Sequence, residues 1–196
     1  MNSRRLVACC AFVLAGAAIV GTVLAQDSKK PAAPQGGDMM MPKPSPEHAV
    51  LKAREGTWDA TVKMWMIPGA PPMESKATQT NTMGGGLWLV SDVNGEMMGG
   101  SFWGHSITGF DPIKKKYVLT WVDSMGASMT QGEGTADAAG KTLTFKMVGC
   151  EPSGKEIKYR EVEELKDKDT LVMTMFMPGA DGKEMQLMEI NYKRKK

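Results

Sequence analysis

Beyond Gly56 the signals are almost wholly those of β-strands, and they come in ten short segments divided by turn residues. The first segment sets the pattern. In Trp58-Asp59-Ala60-Thr61-Val62-Lys63-Met64-Trp65-Met66 the even positions are apolar and most odd ones polar, which turns one face to a core and the other to water. The predicted strands span 57–67, 73–83, 87–93, 96–110, 116–123, 128–136, 142–148, 156–165, 170–177 and 184–193. Turn signals separate them, among them Pro68-Gly69, Gly84-Gly85-Gly86, Asn94-Gly95, Asp111-Pro112, Gly126, Gly140 and Pro178-Gly179. Connections so short make consecutive strands antiparallel neighbours. Ten hairpin-linked strands must hide their edges, and closing into an up-and-down barrel does so most completely. A sandwich is the alternative. Gly99-Gly100, inside the fourth predicted strand, would supply the bulge or bend that closure needs.

Ahead of the strands lie two segments of different character. Residues 1–25 read as a cleaved secretory signal, with basic Arg4 and Arg5, an apolar run from Leu6 to Leu24 and a small-residue exit at Ala25. Leu6-Val7-Ala8-Cys9 superficially fits a lipoprotein cleavage box, but it leaves almost no apolar run before the cysteine and is set aside. Residues 26–45 are rich in Pro, Gly and charge without periodicity, and read as a disordered leader that includes Met39, Met40 and Met41. The domain, residues 46–196, opens with a short helix capped by Ser45, with Pro46 in its first turn, Ala49, Val50 and Ala53 as its buried side, and Gly56 as its stop.

Removal of the signal takes Arg4 and Arg5 from the 24 basic residues, leaving 22 against 22 acids. A balance near zero argues against a nucleic-acid partner, whose phosphates demand a basic excess. Cys9 and Cys10 leave as well, so Cys150 is alone and a hydrophobic core must hold the chain together. No later stretch approaches the roughly 18 apolar residues of a spanning helix. The expectation is an exported protein, periplasmic or secreted, of undetermined oligomeric state.

Two groups of residues resemble known families. Glu55-Gly56-Thr57-Trp58, opening the first strand after a short helix, resembles the Gly-x-Trp signature of the calycin superfamily of lipocalins, fatty-acid-binding proteins and nitrobindin-like barrels. The resemblance implies a lipocalin-like barrel in which Trp58 closes one end beneath a basic residue of the last strand, Lys193 or Arg194. Phe102-Trp103-Gly104, Gly109-Phe110-Asp111-Pro112, Lys115-Lys116-Tyr117 and Thr120-Trp121-Val122-Asp123-Ser124-Met125 are similar to the bacterial domain-of-unknown-function family 1579. That similarity covers most of residues 46 to 193 and implies a fold without implying an activity.

Methionine is the compositional anomaly, with 17 of the 18 remaining after Met1 is lost. In a closed barrel the loops after strands one, three, five, seven and nine share one rim, and they gather Met66, Met73, Met97, Met98, Met125, Met129, Met147 and Met177. Met-x-Met-Ile-Pro-Gly-Ala at 64–70 is echoed by Met-x-Met-Pro-Gly-Ala at 175–180. Thioethers refit to irregular apolar surfaces, so one reading is an adaptable mouth for a hydrophobic ligand. A second is Cu(I) held by Met64, Met66, Met175 and Met177, with His105 or Cys150. The plainest is core filling. His105 shares a strand face with Trp103 and Ile107, and if that face turns inward it is a conceivable haem ligand; a structural histidine is the simpler account.

Catalysis has little support. His105 is the sole base available to a serine nucleophile at Asp123-Ser124, and those two residues suit a local turn. Glu161, Glu163 and Glu164 alternate with Lys158, Arg160 and Lys166 and read as a solvated face. Along the second strand Ser75, Gln79 and Asn81 would wet part of a cavity if that strand lines it. The C-terminal Lys193 to Lys196 reads as a solubilising tail. The expectation is a carrier and not an enzyme, without a resident cofactor, binding a small hydrophobic or amphipathic ligand at Met64, Met66, Gln79, Trp103, His105, Trp121, Met125, Met175 and Met177. Soft-metal binding and a ligand-free interaction barrel are the alternatives.

Overall fold

The computed structural model describes residues 42–67, 69–151, 153–179 and 182–196. The expected signal and most of the expected leader, Met39 to Met41 included, lie outside the described residues. One helix, α1 (Pro46–Lys52), precedes ten strands: β1 (Gly56–Met64), β2 (Met73–Gly84), β3 (Trp88–Met97), β4 (Gly100–Asp111), β5 (Lys116–Asp123), β6 (Thr130–Ala136), β7 (Thr142–Cys150), β8 (Glu156–Asp167), β9 (Thr170–Pro178) and β10 (Glu184–Arg194). Each pairs antiparallel with its sequence neighbours, and β1 pairs with β10 from Trp58↔Arg194 to Met64↔Met188, closing the barrel. Among the described residues no helix is long and apolar enough to cross a membrane.

The third hairpin turns later than the sequence suggests. Asn94-Gly95 belongs to β3, and the turn falls at Met98-Gly99, both with positive φ, 54° and 79°. That pair of dihedral signs suits a tight hairpin turn. Gly95 is needed inside the strand for a different reason: a Cβ there would lie 2.6 Å from the Cβ of Ala77 on β2. The bulges lie in other strands, between Gln186 and Met188 of β10 and between Leu165 and Asp167 of β8.

Helix α1 plugs the end opposite the β1, β3, β5, β7 and β9 loops. His48 takes the reciprocal place in its cap, accepting from the Ser45 backbone N–H through Nδ1 at 2.9 Å. Its buried side is His48 and Leu51, with Val50 packed on the core, while Ala49 and Ala53 stay exposed. Behind the helix the Trp58 ring is fully buried and its Nε1–H donates to the Arg54 carbonyl at 3.0 Å. Asn81 donates to the same carbonyl at 2.9 Å. Arg194 stacks on the ring at 4.0 Å from its centroid, as the calycin resemblance implies, and donates to the carbonyls of Lys168, Ala53 and Glu55. Burying a ring of this size contributes on the order of 4–6 kcal/mol as an upper bound. The exposed pairs of the outer face, such as Lys114–Glu133, contribute about 0–1 kcal/mol each, so the core and not the charge lattice holds the barrel.

Two clusters form that core. One joins Leu51 to Leu89, Tyr117, Leu119, Leu143, Phe145 and Met147 across β3 to β7. The other joins Trp58, Ala60, Leu171 and Tyr192 at the helix end of β1, β9 and β10. Tyr159 of β8 packs on the first cluster, whereas the mouth-side inner faces of β9, β10, β1 and β2 belong to neither.

Candidate functional site

Register fixes what the lumen presents, because residues directly opposite in a ladder share a face with Cβ atoms about 4.5–5.5 Å apart. Buried Trp58, Ala60 and Val62 mark the inner face of β1, and Met64 continues it. Met64 pairs with Met73 of β2 and with Met188 of β10, and Met188 pairs with Met175 of β9. Met175 pairs with Glu161 of β8, Glu161 with Phe145 of β7, and Phe145 with Gly134 of β6. Four thioethers and a carboxyl thus form one continuous inner row. The neighbouring row toward the helix reads Ser75, Val62, Ile190, Met173, Glu163 and Leu143.

The row is not packed shut. Met64, Met175, Met188 and Glu161 point inward yet keep accessible surface, and so do Met173 and Ile190 one row deeper. On the wall that runs from β7 to β4 the inward residues of β7, Leu143, Phe145 and Met147, have none to speak of, at 1%, 0% and 1%. There Phe102 stacks on Trp121 at 6.4 Å, and the Trp121 indole lies over Gly104 where a Cβ would stand. Trp121 donates to the Asp123 carboxylate at 2.7 Å, and the other oxygen of that carboxylate accepts from the Met125 N–H at 2.8 Å.

Two carboxyls enter the lumen from β8, and they differ. Glu163 accepts from Arg54 Nε at 2.6 Å, and the fully buried guanidinium also donates to the carbonyls of Val50 and Lys141. This network seals the helix end and holds the Arg54 guanidinium there, away from the mouth. Glu161, two residues nearer the mouth, has no hydrogen-bond or ion-pair partner among the described residues. Desolvation, reinforced by the negative charge of Glu163, pushes its carboxyl up to about 8, so at neutral pH it carries its proton. Tyr159 on the same face is pushed up to about 12, again chiefly by burial, and Tyr192 across the lumen is also raised by burial.

The expected ligand residues divide. Met64, Gln79, Trp121, Met175 and Met177 face inward; Gln79 donates to Asn81 at 2.9 Å, deep at the sealed end. Met66 and Met125, each 55% exposed, sit in loops at the rim. Trp103 and His105 are corrected: Phe102, Gly104, Ser106 and Thr108 take the inner face of β4, so the alternate positions Trp103, His105 and Ile107 turn outward. There His105 Nδ1 meets Asp92 at 2.8 Å and its ring stacks with Trp103 at 6.1 Å. A haem ligand from His105 is therefore not offered to the lumen, and His48 is bound up in the helix cap. The solvated-face reading of Glu161 and Glu163 is also corrected. Ile157, Tyr159 and Leu165 share their parity and mark that face as inner, while Lys158, Arg160 and Glu164 point out. Met73 and Met188 complete the row without having been singled out for it.

Two shallow concavities lie elsewhere, about 520 Å³ beside α1 and about 670 Å³ across β5 to β8, and neither includes the methionine row. In the larger, Lys114 and Arg160 are already paired with Glu133 and Glu184. Among the described residues no cluster of three His, Cys, Asp or Glu has metal-site geometry.

The model of the family described as "Protein of unknown function (DUF1579)" matches residues 43–194. The chain belongs to this family. The match spans α1 and all ten strands, so the family and the barrel are the same unit. No curated protein matches the chain. Among solved structures it is similar to Rv2717c from M. tuberculosis, at 14% identity and TM-score 0.60, over 79% of this chain and 100% of that one. It also matches a redesigned beta barrel, b11L5F_LGL, at 11% identity and TM-score 0.42, over 75% of this chain and 96% of that one, a likeness too slight to carry an argument. The first supports a fold and nothing finer.

Proposed function

We propose that this family member is an exported carrier, not an enzyme, that takes a small, mainly hydrophobic ligand into the barrel from the methionine rim. The observation that carries the reading is the inner row Met73, Met64, Met188 and Met175, whose side chains face inward without being packed away. Thioether chains adapt to irregular apolar shapes at little strain, and an open apolar wall beside a few polar groups is what a small-ligand site requires. The test is organic extraction of the purified protein followed by mass spectrometry, with titration of an apolar fluorescent probe alongside. A ligand or probe should enter with a change in Trp121 emission, which Trp121→Phe removes and Trp103→Phe leaves. No extractable ligand and no probe uptake would sink the reading.

A second reading rests on the same row. Three neighbouring thioethers in register can converge on one soft ion, so the row suits Cu(I). Anaerobic competition with a Cu(I) chelator should then show tight binding that falls when Met64 and Met188 are replaced by Leu. Unchanged competition in that double variant removes the metal reading.

A further inference from the structure

The carrier reading leaves Glu161 without a purpose: an ionisable side chain set in an apolar row, with no hydrogen-bond or ion-pair partner among the described residues, when its neighbour Glu163 is paired with Arg54. A carboxyl on a wall of thioethers and aromatic rings is poorly solvated even where its oxygens keep accessible surface, and among the described residues nothing pairs with this one. The groups that face it are few. From its own strand come Glu163 and Tyr159 and from β10 Tyr192, while Asp123 on the inner face of β5 acts on Tyr159. The inner faces of the flanking strands β7 and β9 bring only Phe145, Met147, Met173 and Met175. Arg54 is the one base near this group, and it is spent on Glu163 and two carbonyls. Arg194 is spent on the sealed end. Among the described residues the inner faces thus carry three acids, Glu161, Glu163 and Asp123, against the committed Arg54.

We propose that the lumen takes an amphipathic organic cation, its ammonium head at Glu161 beside the Tyr159 ring and its apolar body along Met175, Met188 and Met64. The inference rests on the carrier reading and names the ligand class. An ammonium supplies the missing counter-charge, and aromatic faces and thioethers tolerate it well. A hard inorganic cation is a poor fit, since it asks for several oxygen ligands where this wall offers sulfur and carbon. An anionic head would meet the field of Glu163 and Asp123. Because Glu161 holds a proton when the lumen is empty, a ligand that keeps its charge must displace that proton. Binding of such a ligand therefore tightens as pH rises toward 8 and levels off above it.

The experiment compares decylammonium, decan-1-ol and decanoate as competitors of a bound apolar probe, from pH 5.5 to 8.5, in the wild-type protein and in Glu161→Gln. Decylammonium stays charged throughout, its amine being close to that of lysine at about 10.4. At pH 8.5 it should bind at least about tenfold more tightly than decan-1-ol, and the advantage should shrink by up to about tenfold per pH unit on acidification. In Glu161→Gln the advantage should vanish while decan-1-ol binds as before, which also shows that the variant is folded. Binding of decan-1-ol with no preference for the cation, a preference that survives in Glu161→Gln, or decanoate as the tightest of the three overturns the inference and leaves the carrier reading standing. If none of the three competes and no probe enters, the carrier reading fails and the inference with it.

Discussion

The inner faces of β7 and β9 look out on the same lumen and are built in opposite ways. Along β7, Leu143, Phe145 and Met147 are closed off completely, whereas along β9 only Leu171, at 1% exposure, matches them, and Met173, Met175 and Met177 all keep accessible surface. The difference begins in the partner strands. On β6 small residues stand opposite the β7 side chains, Ala136 to Leu143, Gly134 to Phe145 and Gly132 to Met147, and a Cβ at Gly134 would come within 2.6 Å of the Phe145 ring. Large rings set against glycines interdigitate and leave no room. Opposite the β9 methionines stand Ile190, Met188 and Met185, unbranched or flexible chains for the most part, which line a wall without filling it. One half of the barrel supplies rigidity and the other supplies space.

The sharpest way to break this contrast is to cut into the filled half. Phe145→Ala should cost about 3–5 kcal/mol in chemical denaturation, since the void would be bounded by a fully buried cluster. A loss below about 1 kcal/mol would mean that the filled wall is not what holds the barrel.

Next in size is the pH dependence that the open half imposes. Glu161 binds its proton more tightly folded, near 8, than unfolded, near the ordinary 4.5. Between those values the native state holds a proton that the unfolded chain has released, so stability falls as pH rises through the window, by up to about 1.4 kcal/mol per unit. Glu161→Gln should flatten the curve between pH 5 and 8. The carboxylates held low by hydrogen bonds, Asp137 and Asp167 among them, act with the opposite sign and only as pH drops below the ordinary carboxylate range. A wild-type curve already flat between pH 5 and 8 would place Glu161 in contact with bulk water.

The smallest effect belongs to the methionine row. Met188→Ala truncates a chain that already keeps accessible surface, so the cost should stay below about 1.5 kcal/mol, with apolar-probe affinity falling more than stability. If Met188→Ala were as damaging as Phe145→Ala, the two halves would be packed alike.

The barrel was legible from the chain because its strands alternate and its turns are short. All ten appear, with the largest displacement at the third hairpin. There two glycine signals competed, and the close approach of Gly95 to Ala77, a contact distant in sequence, decided between them. The lumen was half legible. Met64, Gln79, Trp121, Met175 and Met177 follow from parity along their strands. Parity also tells which residues travel together, but not which of two faces is inside when both are mixed. Trp103, His105 and Ile107 resembled an inner face because they are large; the true inner face of β4 is Phe102, Gly104, Ser106 and Thr108, where Gly104 leaves room for the Trp121 indole. Glu161 was obscured the same way, since charge on every second residue of β8 reads as solvent exposure until Ile157, Tyr159 and Leu165 are counted with it.

The closure of β1 on β10 bears on how the chain assembles. Every other ladder joins consecutive strands across a short turn and can zip from that turn, but Trp58↔Arg194 unites positions at the two extremes of the domain. Its loop-closure entropy is the largest in the molecule. Hairpin growth therefore comes first and the ring locks last, so weakening the seam, for example by Val62→Ala, should hasten unfolding and leave the refolding rate nearly unchanged in stopped-flow kinetics. A refolding rate that drops in proportion to the lost stability would instead put the seam in the folding nucleus.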